Sequence, residues 1–264
     1  MLQNTFLHLK GIGFKKELAL WRSGVHCWDD WETHPGGTQP GLFENSASGN
    51  RSEDGLSLFQ RALAEGDSDF FALRMPRSEY YRIALTFPAR TLFLDIETTG
   101  LSIYYDSITV VGWCYANEYD FMVRGDTEQK LRDVLADARA IVTFNGSLFD
   151  IPFLLHEFPG ARIPRCHVDL RFFAKRIGLS GGQKAIEKHL NVMTRPESVA
   201  DLKGENAPLL WSRYCWGDAS ALDKLIAYNK ADVEGMKVIF DHVVREVLNK
   251  QKVPATICHV HKFG

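Results

Sequence analysis

Apolar and polar positions fall into two regimes that meet near residue 90. Beyond that point short apolar runs recur: Thr91 to Ile96 (TLFLDI), Ser107 to Tyr115 (SITVVGWCY), Tyr119 to Arg124 (YDFMVR) and Ala140 to Phe144 (AIVTF). Runs of this length, rich in β-branched and aromatic residues, predict strands. The Ala-Asn-Glu stretch between the second and third predicts a tight turn joining an antiparallel pair. Helical periodicity covers 126–137, 147–158, 169–177, 183–190 and 218–248, with a short strand near His167. Three strands, then helix, strand and helix describe a mixed α/β layout. Before residue 90 the pattern is less regular. A helix runs from Gly13 to Trp21, and LSLFQRALAEG (56–66) predicts an amphipathic helix. Residues 35–55, rich in Gly, Pro, Ser and Asn, predict a loop or linker. Tyr80 to Phe87 predicts a strand at the sheet edge. The boundaries that follow are an N-terminal region (1–88), a main domain (89–250) and a tail (251–264).

Composition narrows the class. Hydrophobic residues make up 45% and charged residues 24% of 264, an ordinary globular balance. A net charge of −2 excludes a protein coated in basic residues but leaves room for a local basic groove. The five cysteines (27, 114, 166, 215 and 258) are scattered and contain no C-x-x-C, which suits a reducing compartment. The start, MLQNTFLHLKGIG, lacks the apolar core of a signal peptide, and no run approaches the roughly 18 apolar residues of a membrane span. The expectation is a cytoplasmic protein with no membrane association.

Chemistry enters with TLFLDIETTGL (91–101). On an extended chain Asp95 and Glu97 share one face and Ile96 points away. Two carboxylates side by side at the end of a buried strand repel and lose hydration. A hard divalent cation, Mg²⁺ or Mn²⁺, would offset that cost. Downstream, Asn145-Gly-Ser-Leu-Phe149-Asp150 follows a strand, with Asn145 at a turn and Asp150 in the first turns of a helix. In Tyr228-Asn-Lys-Ala-Asp232 the phenol and carboxylate are four apart, on one helical face and roughly 6 Å from each other. Between Arg162 and Arg195, eight Lys and Arg (162, 165, 171, 175, 176, 184, 188 and 195) stand against Asp169 and Glu187. Such a flank beside acids is what a nucleic-acid strand requires.

Taken in order, D-I-E-T-T-G-L, N-G-x-x-F-D-x-P and Y-N-x-x-D resemble the three exonuclease motifs of the DEDD superfamily, in its tyrosine-bearing branch. The second motif is similar to that of family B DNA polymerase proofreading domains. The wider pattern resembles the YprB-like ribonuclease-H-like exonucleases: His167-Val-Asp169-Leu170, Gly204 ahead of Leu209-Leu210-Trp211, and FLHLKGIG with its later tryptophans. One departure is Gln183, where the family pattern implies an apolar residue. The resemblance implies a ribonuclease-H-like mixed five-stranded sheet flanked by helices, with a small, mainly helical N-terminal region. It further implies a 3′→5′ exonuclease acting on single-stranded DNA or RNA 3′ ends, DNA slightly favoured, with two divalent cations. Asp95 would serve both ions, Glu97 and Asp232 the ion carrying the attacking water, and Asp150 the second. Tyr228 would orient the nucleophile. Thr98, Leu101, Asn145 and Phe149 would position the terminal nucleotide, and Arg165, Arg171, Lys175 and Lys184 would hold the strand.

Rival readings are a structure-specific endonuclease on the same fold, a nucleic-acid-binding module without catalysis, and a docking role for the first 88 residues. Gly11-Ile12-Gly13 resembles half of a helix-hairpin-helix, but a turn capping a helix explains it equally. Trp21, Trp28 and Trp31 suit core or interface better than base stacking. Asp169 reads as a helix N-cap. Cys258-His259-Val260-His261 lacks the partners of a structural zinc site and reads as disordered or surface tail.

Overall fold

The computed structural model describes residues 1–33, 53–193, 195–257 and 261–264. The expected 35–55 loop lies almost wholly outside them. The N-terminal region holds α1 (Phe14–Arg22), α2 (Trp28–Thr33), α3 (Glu53–Ala64), α4 (Ser68–Ala72) and α5 (Tyr81–Thr86). Gly11 turns at φ +84° and Gly13 caps α1, so the G-I-G signal is a helix-opening turn. Trp21 and Trp28 are buried, their indole N–H groups donating to the Asn4 and Thr5 carbonyls at 2.8 Å.

The edge strand expected over Tyr80 to Phe87 is a helix instead. Tyr81 to Leu85 are buried without alternation, which a one-sided edge strand does not allow. Arg82 decides the matter, because a three-residue helical spacing brings its Nε to Glu79 Oε2 at 2.8 Å. Buried in an edge strand, that guanidinium would lack this partner.

The sheet has five strands: β1 (Thr91–Thr98), β2 (Ile108–Tyr115), β3 (Glu118–Val123), β4 (Ala140–Thr143) and β5 (His167–Asp169). Their order is β3-β2-β1-β4-β5, so β1 is central. It pairs antiparallel with β2 and parallel with β4. The β2–β3 turn uses Ala116 and Asn117, both at positive φ. This is the ribonuclease-H-like fold.

Alternation along β1 sorts the two layers. Leu92, Leu94 and Ile96 join a core with α6 (Gln129–Asp137) and α7 (Asp150–Glu157). Phe93 faces the other way, onto α12 (Ala219–Gln251), with its ring 5.8 Å from Phe240. That second core also takes in Leu2, Trp21 and Tyr81, so the N-terminal helices and the sheet share it. Between α7 and α12 lie α8 (Leu170–Phe173), α9 (Gln183–Leu190), α10 (Glu197–Ala200) and α11 (Ala207–Cys215). The helix expected from 169 to 177 divides into α8 and a 3₁₀ turn, Ala174–Ile177. α7 starts later than expected, because Asn145 sits at φ +66° and holds the preceding residues in a turn. The tail differs from a surface segment. Phe263 is buried against Phe93 and Phe240, and Asp241 accepts the Phe263 and Gly264 N–H groups at 2.8 and 3.0 Å. Cys258 to Val260 lie outside the described residues, and His261 is exposed.

Candidate active site

Alternation that turns Phe93 toward α12 turns Asp95 and Glu97 the same way. α12 answers with Tyr228, Asn229 and Asp232. One oxygen each from Asp95, Glu97 and Asp232 lies within 4.8 Å of the others. Asp150 arrives from the far side of β1, at the first turn of α7, and its Oδ1 accepts the Ile96 N–H at 3.2 Å. Three of these acids are almost wholly buried (Asp150 3%, Glu97 5%, Asp232 8% exposed), while Asp95 is partly open. The β1–β2 register slips between Glu97 and Thr98, ending regular pairing beside the acids.

Burial raises the pKa of all four. For Asp95 the next causes are Glu97, Asp232 and Asp150; for Glu97, Asp232 follows. The Asp150 carboxyl is pushed up to about 7, with the Ile96 N–H pulling it back. Asp232 is raised by burial and restrained by Arg195. Carboxyls packed this way favour either protons or a cation. The donor set is all oxygen, which suits Mg²⁺ or Mn²⁺.

Asn229, fully buried, knits the two strand acids together. Its Nδ2 donates to Asp95 Oδ2 at 3.0 Å and the Asp95 carbonyl at 3.2 Å, and lies 3.5 Å from Glu97 Oε1. Its Oδ1 accepts the Tyr119 hydroxyl at 3.1 Å. Room for this amide comes from Gly112, which pairs with Asp95 across the sheet; a Cβ there would overlap the Asn229 side chain. The Tyr228 phenol is held in its protonated form, first by burial and then by Asp232 and Glu97.

A cleft of about 520 Å³ opens from the acids. Thr98, Leu101, Asn145, Phe149 and Tyr228 all line it, together with Gly204 and Pro208. Leu101 is 86% exposed at the rim, on a loop fixed by Asp106, which accepts the Ser102 N–H and the Thr99 hydroxyl at 2.9 and 3.1 Å. Asp169 caps α8 as expected and also accepts the Asn145 and Ser147 N–H groups at 2.9 and 3.0 Å. His167 is occupied by Thr143, Nε2 to Oγ1 2.8 Å.

Among the basic residues the picture is divided. Arg171 donates to Asn145 Oδ1 at 2.6 Å, so it braces a cleft residue. Lys184 meets the Leu202 carbonyl and stands 4.4 Å over the Tyr228 ring. Arg165 and Lys175 are exposed and do not line the cleft. Arg176 pairs with Glu79 at 2.8 Å, and Arg195 is held internally by Glu187 and Asp232. Sequence reasoning gave Asn229, Gly112 and Glu187 no role in the site. A buried polar residue on the apolar face of a helix was the available signal for Asn229, and a glycine inside a strand was the signal for Gly112.

Residues 92–244 match the model of the RNase_H superfamily. No curated protein matches the chain. Among solved structures, the apo form of a nuclease is 20% identical, with 62% of this chain and 75% of that one covered and a TM-score of 0.45. Brucella melitensis NrnC bound to pGG is 17% identical over 64% of this chain and 90% of its own, at a TM-score of 0.35. Escherichia coli RNase D, an exoribonuclease, is 16% identical over 68% and 49%, also at 0.35.

Proposed function

The chain belongs to the RNase_H superfamily, and from that premise we propose that it is a metal-dependent 3′→5′ exonuclease. Its substrate would be single-stranded nucleic acid, DNA slightly ahead of RNA, and its products nucleoside 5′-monophosphates. One observation carries this reading: Asp95, Glu97, Asp150 and Asp232 converge from three separate segments at the head of an open cleft. Such a concentration of like charge is costly in a protein that has no use for it.

Asp95, Glu97, Asp150 and Asp232 would hold two divalent cations, Mg²⁺ or Mn²⁺. Bound there, the ions would supply charge stabilisation for an anionic phosphoryl transition state and acidify a water. The chain's own groups do the positioning. Asn229 fixes the Asp95 and Glu97 carboxylates side by side. Tyr228 keeps its phenolic proton, so its role is to orient a water by hydrogen bonding rather than to deprotonate it. Thr98, Leu101, Asn145 and Phe149 would receive the terminal nucleotide, with exposed Leu101 as a wedge beside its base.

The test is a gel assay on 5′-end-labelled single-stranded DNA and RNA with Mg²⁺, Mn²⁺ or EDTA. A metal-dependent ladder shortening from the 3′ end, absent in Asp95→Ala, is expected, with the mutant's melting curve showing an intact fold. Long internal fragments would make the protein an endonuclease. Binding without cleavage would make it a nucleic-acid-binding module. Full activity in homogeneous Asp95→Ala protein would overturn the assignment of the acids.

A further inference from the structure

Arg195 is the one arginine that touches the acid cluster among the described residues. Its placement raises a physical problem: a guanidinium beside a cation ligand should repel the cation. Glu187 resolves it. Arg195 Nε and Nη2 donate to Glu187 Oε2 and Oε1, both at 2.7 Å, while Nη2 also reaches Asp232 Oδ1 at 2.5 Å. The side chains of Arg195 and Glu187 are 7% and 5% exposed, so solvent screens neither charge well.

The surroundings are built for this pair. Gln183 Nε2 donates to Glu187 Oε1 at 2.8 Å and to the Asp232 backbone carbonyl at 2.7 Å, linking α9 to α12. A side chain at position 235 would collide with the Glu187 carboxylate, and the residue there is glycine. Gln183, which departs from the apolar residue that the family pattern implies, thus has a polar task.

We propose that Glu187 and Arg195 form a charge-balanced clamp that orients Asp232 as a cation ligand without cancelling its charge. The inference rests on the metal-site reading above. Arg195 is a positioning residue acting through Asp232. The two-pronged bond to Glu187 fixes the guanidinium plane, and its remaining contact fixes one Asp232 oxygen, leaving the other for the ion. Glu187 supplies the compensating negative charge, so the cluster keeps its pull on cations.

The clamp makes an unusual forecast for a double-mutant cycle. Glu187→Gln leaves a positive charge unbalanced beside Asp232 and weakens Mn²⁺ binding by roughly 10–100-fold. Arg195→Gln releases Asp232 from its anchor but leaves its charge in place, so it weakens binding less. The double variant, E187Q/R195Q, binds Mn²⁺ better than E187Q alone. Isothermal titration calorimetry with Mn²⁺ on the full chain measures each variant, alongside thermal melts and an Asp95→Ala control. Arg195→Lys, which keeps the charge and loses the fork, is expected to behave like R195Q and supplies a second reading if E187Q folds poorly. Unchanged Mn²⁺ affinity in R195Q and R195K with lowered melting temperatures would reduce the clamp to scaffolding and overturn it. Tighter binding in R195Q would overturn it too, by making Arg195 a stand-in for the ion. No Mn²⁺ binding by the wild type would overturn the metal reading and the clamp together, whereas wild-type binding with an unaltered R195Q overturns the clamp alone.

Discussion

Two groups of buried charge lie among the described residues, and they are built on opposite plans. In the N-terminal region Arg82, wholly buried, pairs with Glu17 at 2.9 Å and Glu79 at 2.8 Å. Glu79 takes a second arginine, Arg176, at 2.8 Å, and Glu17 accepts the Thr5 hydroxyl and the Phe6 N–H at 2.5 and 2.8 Å. Two acids meet two arginines, and the group is electrically closed. At the end of β1, four acids meet one arginine that is already committed to a fifth acid, Glu187. That group is open: the acids outnumber the basic side chains that reach them among the described residues. The contrast separates a charge cluster that ties elements together from one whose arrangement the proposed ion binding would account for.

The sharpest break of the closed group is Arg82→Met. It strands Glu17 in the core, leaves Glu79 to Arg176 alone, and should cost about 3–5 kcal/mol of stability, read by urea denaturation. Mn²⁺ affinity of the remaining native protein should not change. A loss of ion binding at full folding would show that the two groups are not independent.

Next in size is the effect of pH on the open group. In EDTA the folded Asp150 carboxyl titrates at about 7 against an ordinary 3.8. Between those values the unfolded chain releases a proton that the folded chain keeps, so this contribution to stability is lost as pH rises through that window. Asp150→Asn should remove that part of the slope and stabilise the metal-free protein at pH 8. Saturating Mn²⁺ should restore the wild type at the same pH, since it binds only the folded state. Scanning calorimetry at several pH values decides it: parallel wild-type and Asp150→Asn curves in EDTA would count against the open cluster.

The smallest effect belongs to His8, which has the opposite sign. Its ring is packed 4.2 Å from Phe59 and 5.3 Å from Trp28, and neither nitrogen has a hydrogen-bond partner among the described residues. Burial pushes its pKa down to about 3, from an ordinary 6.5. Its contribution is therefore present above pH 6.5 and lost as pH falls toward 3. His8→Leu should remove that acid-side loss and add about 1 kcal/mol at pH 7. An unaltered acid limb in the variant's melting temperatures would show that His8 finds a partner.

The difference between the two groups also explains what was legible beforehand. Asp95 and Glu97 announced themselves because strand alternation is a local rule, and Tyr228 with Asp232 because helical spacing is another. The strands themselves followed from the same runs, whereas the five-stranded sheet was implied by the family resemblance. Arg195 was misjudged as part of a basic flank, because Glu187 is eight positions away and Asp232 is 37. Gly112 matters only through Asn229, which approaches from a distant helix. Tyr80 to Phe87 has strand-like composition, and its helical form goes with burial on all sides and the pairing of Arg82 with Glu79 and Glu17. Local rules exposed the candidate acids; the neutralising partners depend on long-range packing.

Asn229 reaches Asp95 across 134 positions of chain. A polypeptide still leaving the ribosome with α12 in the exit tunnel therefore carries the β1 acids without Asn229 or Asp232 to complete the cluster. Until the last long helix docks against Gly112, Asp95 and Glu97 lack both the amide that holds them side by side and the third carboxylate of the cluster, so the site is assembled last of all.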